Sequence, residues 1–326
     1  MRTTPAPAPI PLSPADPGRR QRAQAAMRAA AAAWRADPAV GAILAELERF
    51  GAGAPLEGCP RLEALVTDTA SAPAFAAAWC RQQAAALGRE PLGLPAFRHA
   101  FDGTISTLLL ARSGRAQLIL HAREPGAATF GAVRFTDGVR FDAVLAGAAE
   151  ARIVRRTVGP AAAQQPFHAE ALALRPGARL ALDLNQEALQ LLATSRRLVT
   201  LRLHRFAADP TPSREHRLPD GALLHQSAGS IADSRREMML ALLGRMEVAQ
   251  AAPLMAAMAL EHGDASLRWQ ALRECLALDS AAGFRALVAV ARRAGDPLAA
   301  PAGALRTQLV EAHPELLALE TDPCRA

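Results

Sequence analysis

Hydrophobic and polar positions change rhythm twice along the chain. In residues 97–227 short apolar runs alternate with turn signals, whereas both flanks repeat apolar residues at helical spacing. In the N-terminal flank Val40, Ile43, Leu44 and Leu47 fall on one helix face, with Asp37 at an N-cap position and Pro38 in the first turn. Gly51-Ala52-Gly53 closes that helix. A helix over residues 16–35 precedes it, a short helical turn over 60–65 follows, and Ser71 caps a further helix over 73–87 that Gly88 ends. In the middle, runs at 105–111 and 116–122 flank Arg112-Ser113-Gly114-Arg115, and runs at 130–135 and 139–145 flank Thr136-Asp137-Gly138. Both patterns predict hairpins. Further strands are expected at 151–157, 168–174, 179–184, 189–192 and 198–206, with an edge strand at 221–226. So many short strands without a helix-length insert predict an antiparallel sandwich or barrel rather than a parallel α/β sheet. From Ile231 the helical period returns, with helices expected over 235–243, 247–260, 264–278, 280–293 and 301–312.

The expected architecture is therefore α+β. A disordered Pro/Ala leader (1–15) precedes an N-terminal helical region (16–95), an antiparallel β-sandwich or jelly-roll barrel (96–228) and a C-terminal α-helical region (229–326). With 326 residues, 51% of them apolar, the chain can bury one large core or two medium ones.

Charge changes this picture less than it first promises. The net charge is +6, but all 37 basic residues are arginine, tyrosine is absent and Asn185 is the only asparagine. That is the mark of GC-rich coding, which raises arginine without implying a phosphate partner. The excess is local: +2 over residues 1–97, +6 over 98–228 and −2 over 229–326. It favours a small anionic ligand or an acidic protein at the β region. Three tryptophans and no tyrosine leave little for base stacking, so nucleic acid is not an expected partner. Cys59, Cys80, Cys275 and Cys324 form no CxxC pair or zinc-like spacing, which reads as reduced and cytoplasmic. The leader lacks an unbroken apolar stretch, and no run approaches a membrane span.

Two stretches carry a family resemblance. In Phe141-Asp142-Ala143-Val144-Leu145-Ala146-Gly147, continuing to Ile153, a strand ends in Leu-x-Gly and the next follows at once. Leu174-Arg175-Pro176-Gly177-Ala178 has the form of an L-x-P-G-D turn, with Ala178 in the acidic place. Together they resemble the cupin-type jelly-roll barrels. That resemblance implies a small-ligand pocket and, in many members, a metal held by two or three His and one Glu. Residues 124–141, where the His-x-His pair and its Glu should stand, hold no histidine, and Asn185, Gln186 and Ala188 stand where the later histidine should. The resemblance thus implies a barrel without its usual metal ligands. Asp264-Ala265-Ser266-Leu267-Arg268-Trp269 resembles the opening of a HEAT-type helix, in which Asp caps and Arg fixes a neighbouring turn. Residues 231–312 hold at most two such hairpins, fewer than a solenoid needs.

Candidate chemistry follows from these placements. His168 and Glu170 share a strand face, and with His204 they make a two-His-one-carboxylate set suited to Fe or another divalent metal; the alternative is a solvated face on which Glu170 answers nearby arginines. Arg152 and Arg156 on one strand, Arg202 on another and His121 form a candidate anion-binding group, against an alternative of scattered surface arginines. His99 and Asp102 read either as a base with its orienting acid or as an Asx turn before Gly103, and the turn is preferred. No catalytic residue is assigned. Absence of lysine excludes Schiff-base chemistry and a Walker loop, and no Gly-x-Ser-x-Gly elbow exists. Met238, Met239, Met246, Met255 and Met258 form either a docking surface or packing between helices. The expected protein is a non-enzymatic or regulatory binder of a small ligand or partner on a degenerate cupin-like barrel, without cofactor; the alternative is a metal-dependent oxygenase or isomerase. A homodimer is expected, its contact from the β module or residues 235–260.

Overall fold

The computed structural model describes residues 17–159 and 165–321; the leader of residues 1–15 and Cys324 lie outside them. Four helices come first: α1 (Pro17–Ala36), α2 (Pro38–Ala52), α3 (Pro60–Thr67) and α4 (Ser71–Arg89). Asp37 Oδ1 accepts from the backbone N–H groups of Ala39 (2.9 Å) and Val40 (3.1 Å), so the expected cap forms, with Pro38 at the first helical position. Ser71 is not a cap. It opens α4 and gives its own N–H and hydroxyl to Asp68.

Among the described residues eleven strands follow: β1 (Arg98–Phe101), β2 (Ile105–Ser113), β3 (Ala116–Arg123), β4 (Gly126–Ala127), β5 (Ala132–Phe135), β6 (Gly138–Arg156), β7 (Phe167–Leu174), β8 (Arg179–Asp183), β9 (Glu187–Phe206), β10 (Ser213–Arg217) and β11 (Leu223–Ser227). They build two antiparallel sheets. The larger has eight strands in the order β1-β2-β3-β9-β6-β7, with β4 on β9 and β8 on β6; the smaller is β11-β10-β5. The helices α5 (Ile231–Arg245), α6 (Ala252–Leu260), α7 (Ala265–Leu278), α8 (Ser280–Ala291), α9 (Ala299–Ala312) and α10 (Ala318–Thr321) close the chain. The architecture is α+β, with helices before and after the sheets, and the chain divides into two units. The first holds α1–α4 and the eight-stranded sheet; the second holds the three-stranded sheet and α5–α10.

Beside these, α4 runs through Gly88 to Arg89, and three expectations for the strands change. The hairpin across Thr136-Asp137-Gly138 does not form. The first part of β6 already pairs β8 on one edge and β9 on the other, so β5 pairs β10 instead. The strands expected at 139–145 and 151–157 are one strand, β6, as those at 189–192 and 198–206 are one strand, β9. Bulges carry each through the interruption: the β6–β9 register shifts four times between Val144 and Ala151.

At those bulges β6 folds back on itself. Val139 pairs Asp183 and Arg155 pairs Glu187, so partners four residues apart hold the two ends of the strand. Four residues span at most about 14 Å, whereas the sixteen residues from 139 to 155 would span about 50 Å if straight. Gly147 sits in the bend at φ +88°, and a Cβ there would lie 2.0 Å from the Arg197 carbonyl oxygen, so only glycine fits.

The core of the first unit lies between α1–α4 and one face of the large sheet. Trp34 packs edge-on against Phe75 and Phe97, and Leu47, Phe50 and Leu62 meet Leu110, Leu118, Leu201 and Leu203. In the second unit Asp264 caps α7 through Leu267 N–H (2.9 Å). Buried Arg268 gives its Nε to the Ala259 carbonyl (3.1 Å) and its fork to Asp296 (3.2 and 2.5 Å). Asp264 thus caps α7, and Arg268 ties that helix to the end of α6 and to Asp296.

Candidate functional site

Strand alternation gives the large sheet a second, polar face opposite the core. β9 sends Thr200, Arg202 and His204 there; their register partners are His121, Ile119 and Gln117 on β3, and Val144, Asp142 and Arg140 on β6. Leu182 and Leu180 of β8 sit opposite Arg140 and Asp142. Register alone therefore gathers two arginines, two histidines and one carboxylate across three neighbouring strands.

Asp142 is the centre, and only 2% of it is exposed. Its Oδ1 accepts from Arg202 Nε at 2.7 Å, and its Oδ2 accepts from the second arm of that guanidinium at 3.3 Å. Arg140 Nε lies 3.0 Å from Oδ2, an ion pair without hydrogen-bond alignment. Burial works against the Asp142 charge, but Arg202 and Arg140 together hold its carboxyl below the usual range. Burial likewise lowers Arg140 to about 10, Asp142 opposing and Arg202 adding to the shift. His121 and His204 fall to about 4, first through burial and then through the positive charge of Arg202, so both rings are neutral at pH 7. The His204 ring packs on Phe206 with centroids 4.2 Å apart. Among the described residues His204 Nε2, Thr200 Oγ1 and Arg140 Nε are buried without a hydrogen-bond partner. Gly138 (φ +137°) keeps this end open to the ring, because a Cβ there would lie 3.3 Å from His204 Nε2 and 2.6 Å from the Arg205 carbonyl.

A cavity of about 10 Å³ adjoins the cluster, lined by His121, Asp142, Thr200, Arg202 and a wall of leucines that includes Leu174 and Leu189. Its volume is at the lower limit of what one water needs. Larger concavities lie on the helices: about 870 Å³ beside Trp34, Ile43 and Phe75 in the first unit, and about 790 Å³ beside Trp269, Phe284 and Leu305 in the second.

Of the four residues put forward for anion binding, the structure joins His121 and Arg202. Arg152 instead gives its Nε to Gln190 (2.8 Å), its register partner, and Arg156 ends the strand with its N–H on the Gln186 carbonyl (2.9 Å). Of the three put forward for a metal, His168 is exposed on β7 and Glu170 is ion-paired to Arg155, which also bonds Glu187 at 2.7 Å. His204 lies in the polar cluster. Among the described residues no group of three His, Cys, Asp or Glu side chains is placed to hold a metal ion. Nor does the cluster's own donor set fit one. Both Asp142 oxygens face guanidinium groups, which repel a divalent cation. Asp102 makes the Asx turn, accepting from Thr104 N–H (2.9 Å) and Ile105 N–H (2.7 Å). Arg140 and Asp142 were missed at the sequence level. Their signal was the Arg-x-Asp alternation on an inward-facing strand.

No family model and no curated protein sequence matches the chain. Similar solved structures include a cupin superfamily protein from Desulfitobacterium hafniense (17% identity, TM-score 0.23, 33% of this chain and 83% of that one). KdgF from Halomonas sp. is similar at 13% identity and a TM-score of 0.25, over 34% of this chain and 87% of that one. The 7S globulin of Momordica charantia is similar at 10% identity and a TM-score of 0.27, over 37% of this chain and 35% of that one. The chain thus matches about a third of the globulin's length. At these identities and scores the likenesses assign neither activity nor ligand to this chain. Among the described residues no helix is long and apolar enough to cross a membrane.

Proposed function

We propose that the folded-back β module is a degenerate cupin-like jelly-roll barrel and that the protein is a non-enzymatic or regulatory binder of a small anion at its polar face. The two cupin-like stretches support the fold reading because they pair with each other: Val144 N–H bonds the Ala178 carbonyl (2.9 Å) and Gly177 N–H bonds the Val144 carbonyl (3.0 Å). The binding reading rests on one observation. Two guanidinium groups share one carboxylate beside two neutral histidines, which leaves one positive charge unanswered in a mostly buried place. Partly buried guanidinium forks recognise carboxylate or phosphate oxygens bidentately. The Arg140 and Arg202 side chains keep 16% and 20% of their surface open to solvent, so an anion reaches them at that edge without entering the leucine-walled interior.

Titration calorimetry tests this with inorganic phosphate and with malonate as probes. The wild type is expected to bind one of them saturably at one site, and Arg140→Gln to bind it at least tenfold more weakly. Wild-type protein that takes up neither probe overturns the reading, as does an Arg140→Gln variant with unchanged affinity.

A further inference from the structure

The second unit carries an apolar stripe that its own fold leaves uncovered. On α5, Leu240 faces inward, in one cluster with Met255, Ala271 and Cys275. On the opposite side Ile231, Met238, Met239 and Leu242, with Met246 at the C-cap just past the helix, are each 55–66% exposed. At 100° per residue these five fall within an arc of about 100°, a continuous stripe along the length of the helix. Their uncovered surface is on the order of 600 Å², at the upper limit of what monomers expose and close to the ~800 Å² each partner contributes to a stable interface.

We propose that this stripe is the contact between two copies of the chain, with the α5 helices packed antiparallel about a two-fold axis between Met238 and Met239. The order of the residues carries the proposal. The stripe is symmetric about that point: reversing it places Ile231 against Met246, and Met238 against Met239. Arg235, exposed on the same arc, falls against Leu242, where its methylene stem covers the leucine while its charge stays in water. An isologous contact needs a self-complementary surface of this kind. Three unbranched methionines let two such ridges adjust to each other. Charge does not oppose it. Arg236 is ion-paired to Asp233, and the same reversal sets Arg235 against Leu242 and Arg245 against Ala232, so no two arginines stand opposite each other. A helix that lies on anionic lipid instead carries a basic polar face.

Light scattering coupled to size exclusion, at tens of micromolar, tests the contact. The wild type is expected at twice the 34.3 kDa of one chain, and Leu242→Asp at the mass of one chain. Position 242 is exposed, so an unchanged far-ultraviolet dichroism spectrum should show the variant folded. Should it fail to fold, Met238→Gln combined with Met239→Gln replaces it and is expected to weaken the dimer at least tenfold. As a positional check, Met238→Cys in a Cys80→Ser, Cys324→Ser background should form an intermolecular disulfide on mild oxidation. A monomeric wild type, whether or not it pellets with phosphatidylserine vesicles, overturns the proposal. So does a dimer that survives these substitutions at full affinity. Either outcome leaves the anion site of the first unit untouched.

Discussion

The two faces of the β3–β9–β6 ladder are made by the same strands, yet they hold opposite chemistry. On one face Leu118, Ala143, Leu201 and Leu203 are buried under the N-terminal helices. At the alternate positions of the same strands, His121, Asp142, Thr200 and Arg202 stand on the other. The apolar face stabilises the unit by removing area from water, an effect that is non-directional and tolerant of exchange. The polar face holds a buried carboxylate that is tolerable only because its counter-charges are fixed in place. The first face specifies that the sheet folds; the second specifies its register, because a one-residue slip would carry Asp142 into the leucine core.

The most severe break in the comparison is Asp142→Asn. It leaves Arg140 and Arg202 facing each other without a carboxylate, and the expected loss of stability is about 4 kcal/mol, measured by denaturant unfolding. A loss below about 1 kcal/mol would mean that solvent already answers both guanidinium groups. Leu203→Ala on the opposite face should cost about 3 kcal/mol, from lost transfer energy and the cavity left behind. The two differ in remedy: Leu203→Met should restore most of that stability, whereas no neutral side chain should restore Asp142.

How much of this was legible in sequence follows from the same two faces. The apolar face was readable, because alternation of Leu118, Leu201 and Leu203 with polar neighbours is a period-2 signal inside one strand. The helices were readable for the same local reason, with Asp37, Asp264 and Gly53 in their expected roles, although α4 runs through Gly88, its expected stop, to Arg89. The polar cluster was not. Its members come from three strands, and no local pattern encodes which residues of β3 and β6 stand opposite β9, more than fifty residues further along the chain. His121 and Arg202 stand together in the candidate anion-binding group, but their partner Asp142 was hidden as a single acid in a strand. The fold-back of β6 was misread as two strands because Gly147, which permits the bend, looks like a chain break.

Acid separates the faces more gently. His121 and His204 have folded pKa values of about 4 against an ordinary 6.5, so between those limits the unfolded chain binds protons that the folded chain does not. Their contribution is fully present above pH 6.5 and is lost as pH falls through 4. Since neither ring is wholly buried, a loss on the order of 2–3 kcal/mol is expected for the two together. Unfolding midpoints measured from pH 7.5 to 4 should follow this slope, and it should flatten in a His121→Gln, His204→Gln variant. Asp142 does not contribute in that window, because its own pKa lies below the ordinary carboxylate value. A wild type equally stable at pH 7 and pH 4.5 would show the rings to be solvated.

The smallest effect is the most discriminating. Thr200 is buried on the polar face, opposite Val144 and His121, and its hydroxyl has no partner among the described residues. An unbonded buried hydroxyl gives up its hydration without compensation, so Thr200→Val, which keeps the shape, should be neutral or stabilise the fold by up to about 1 kcal/mol. On the apolar face the reverse exchange, Val for Thr, would be costly, so the sign of this substitution tells the two environments apart. Phosphate gives the result a second reading. If the anion seats deep enough to bond the hydroxyl, Thr200→Val should leave stability unchanged in plain buffer and reduce the gain in midpoint on adding phosphate. If it binds only at the solvent edge of Arg140 and Arg202, that gain should be the same in both proteins. Destabilisation in plain buffer would place a tightly held water on Thr200 and make the polar face a closed network rather than an open one.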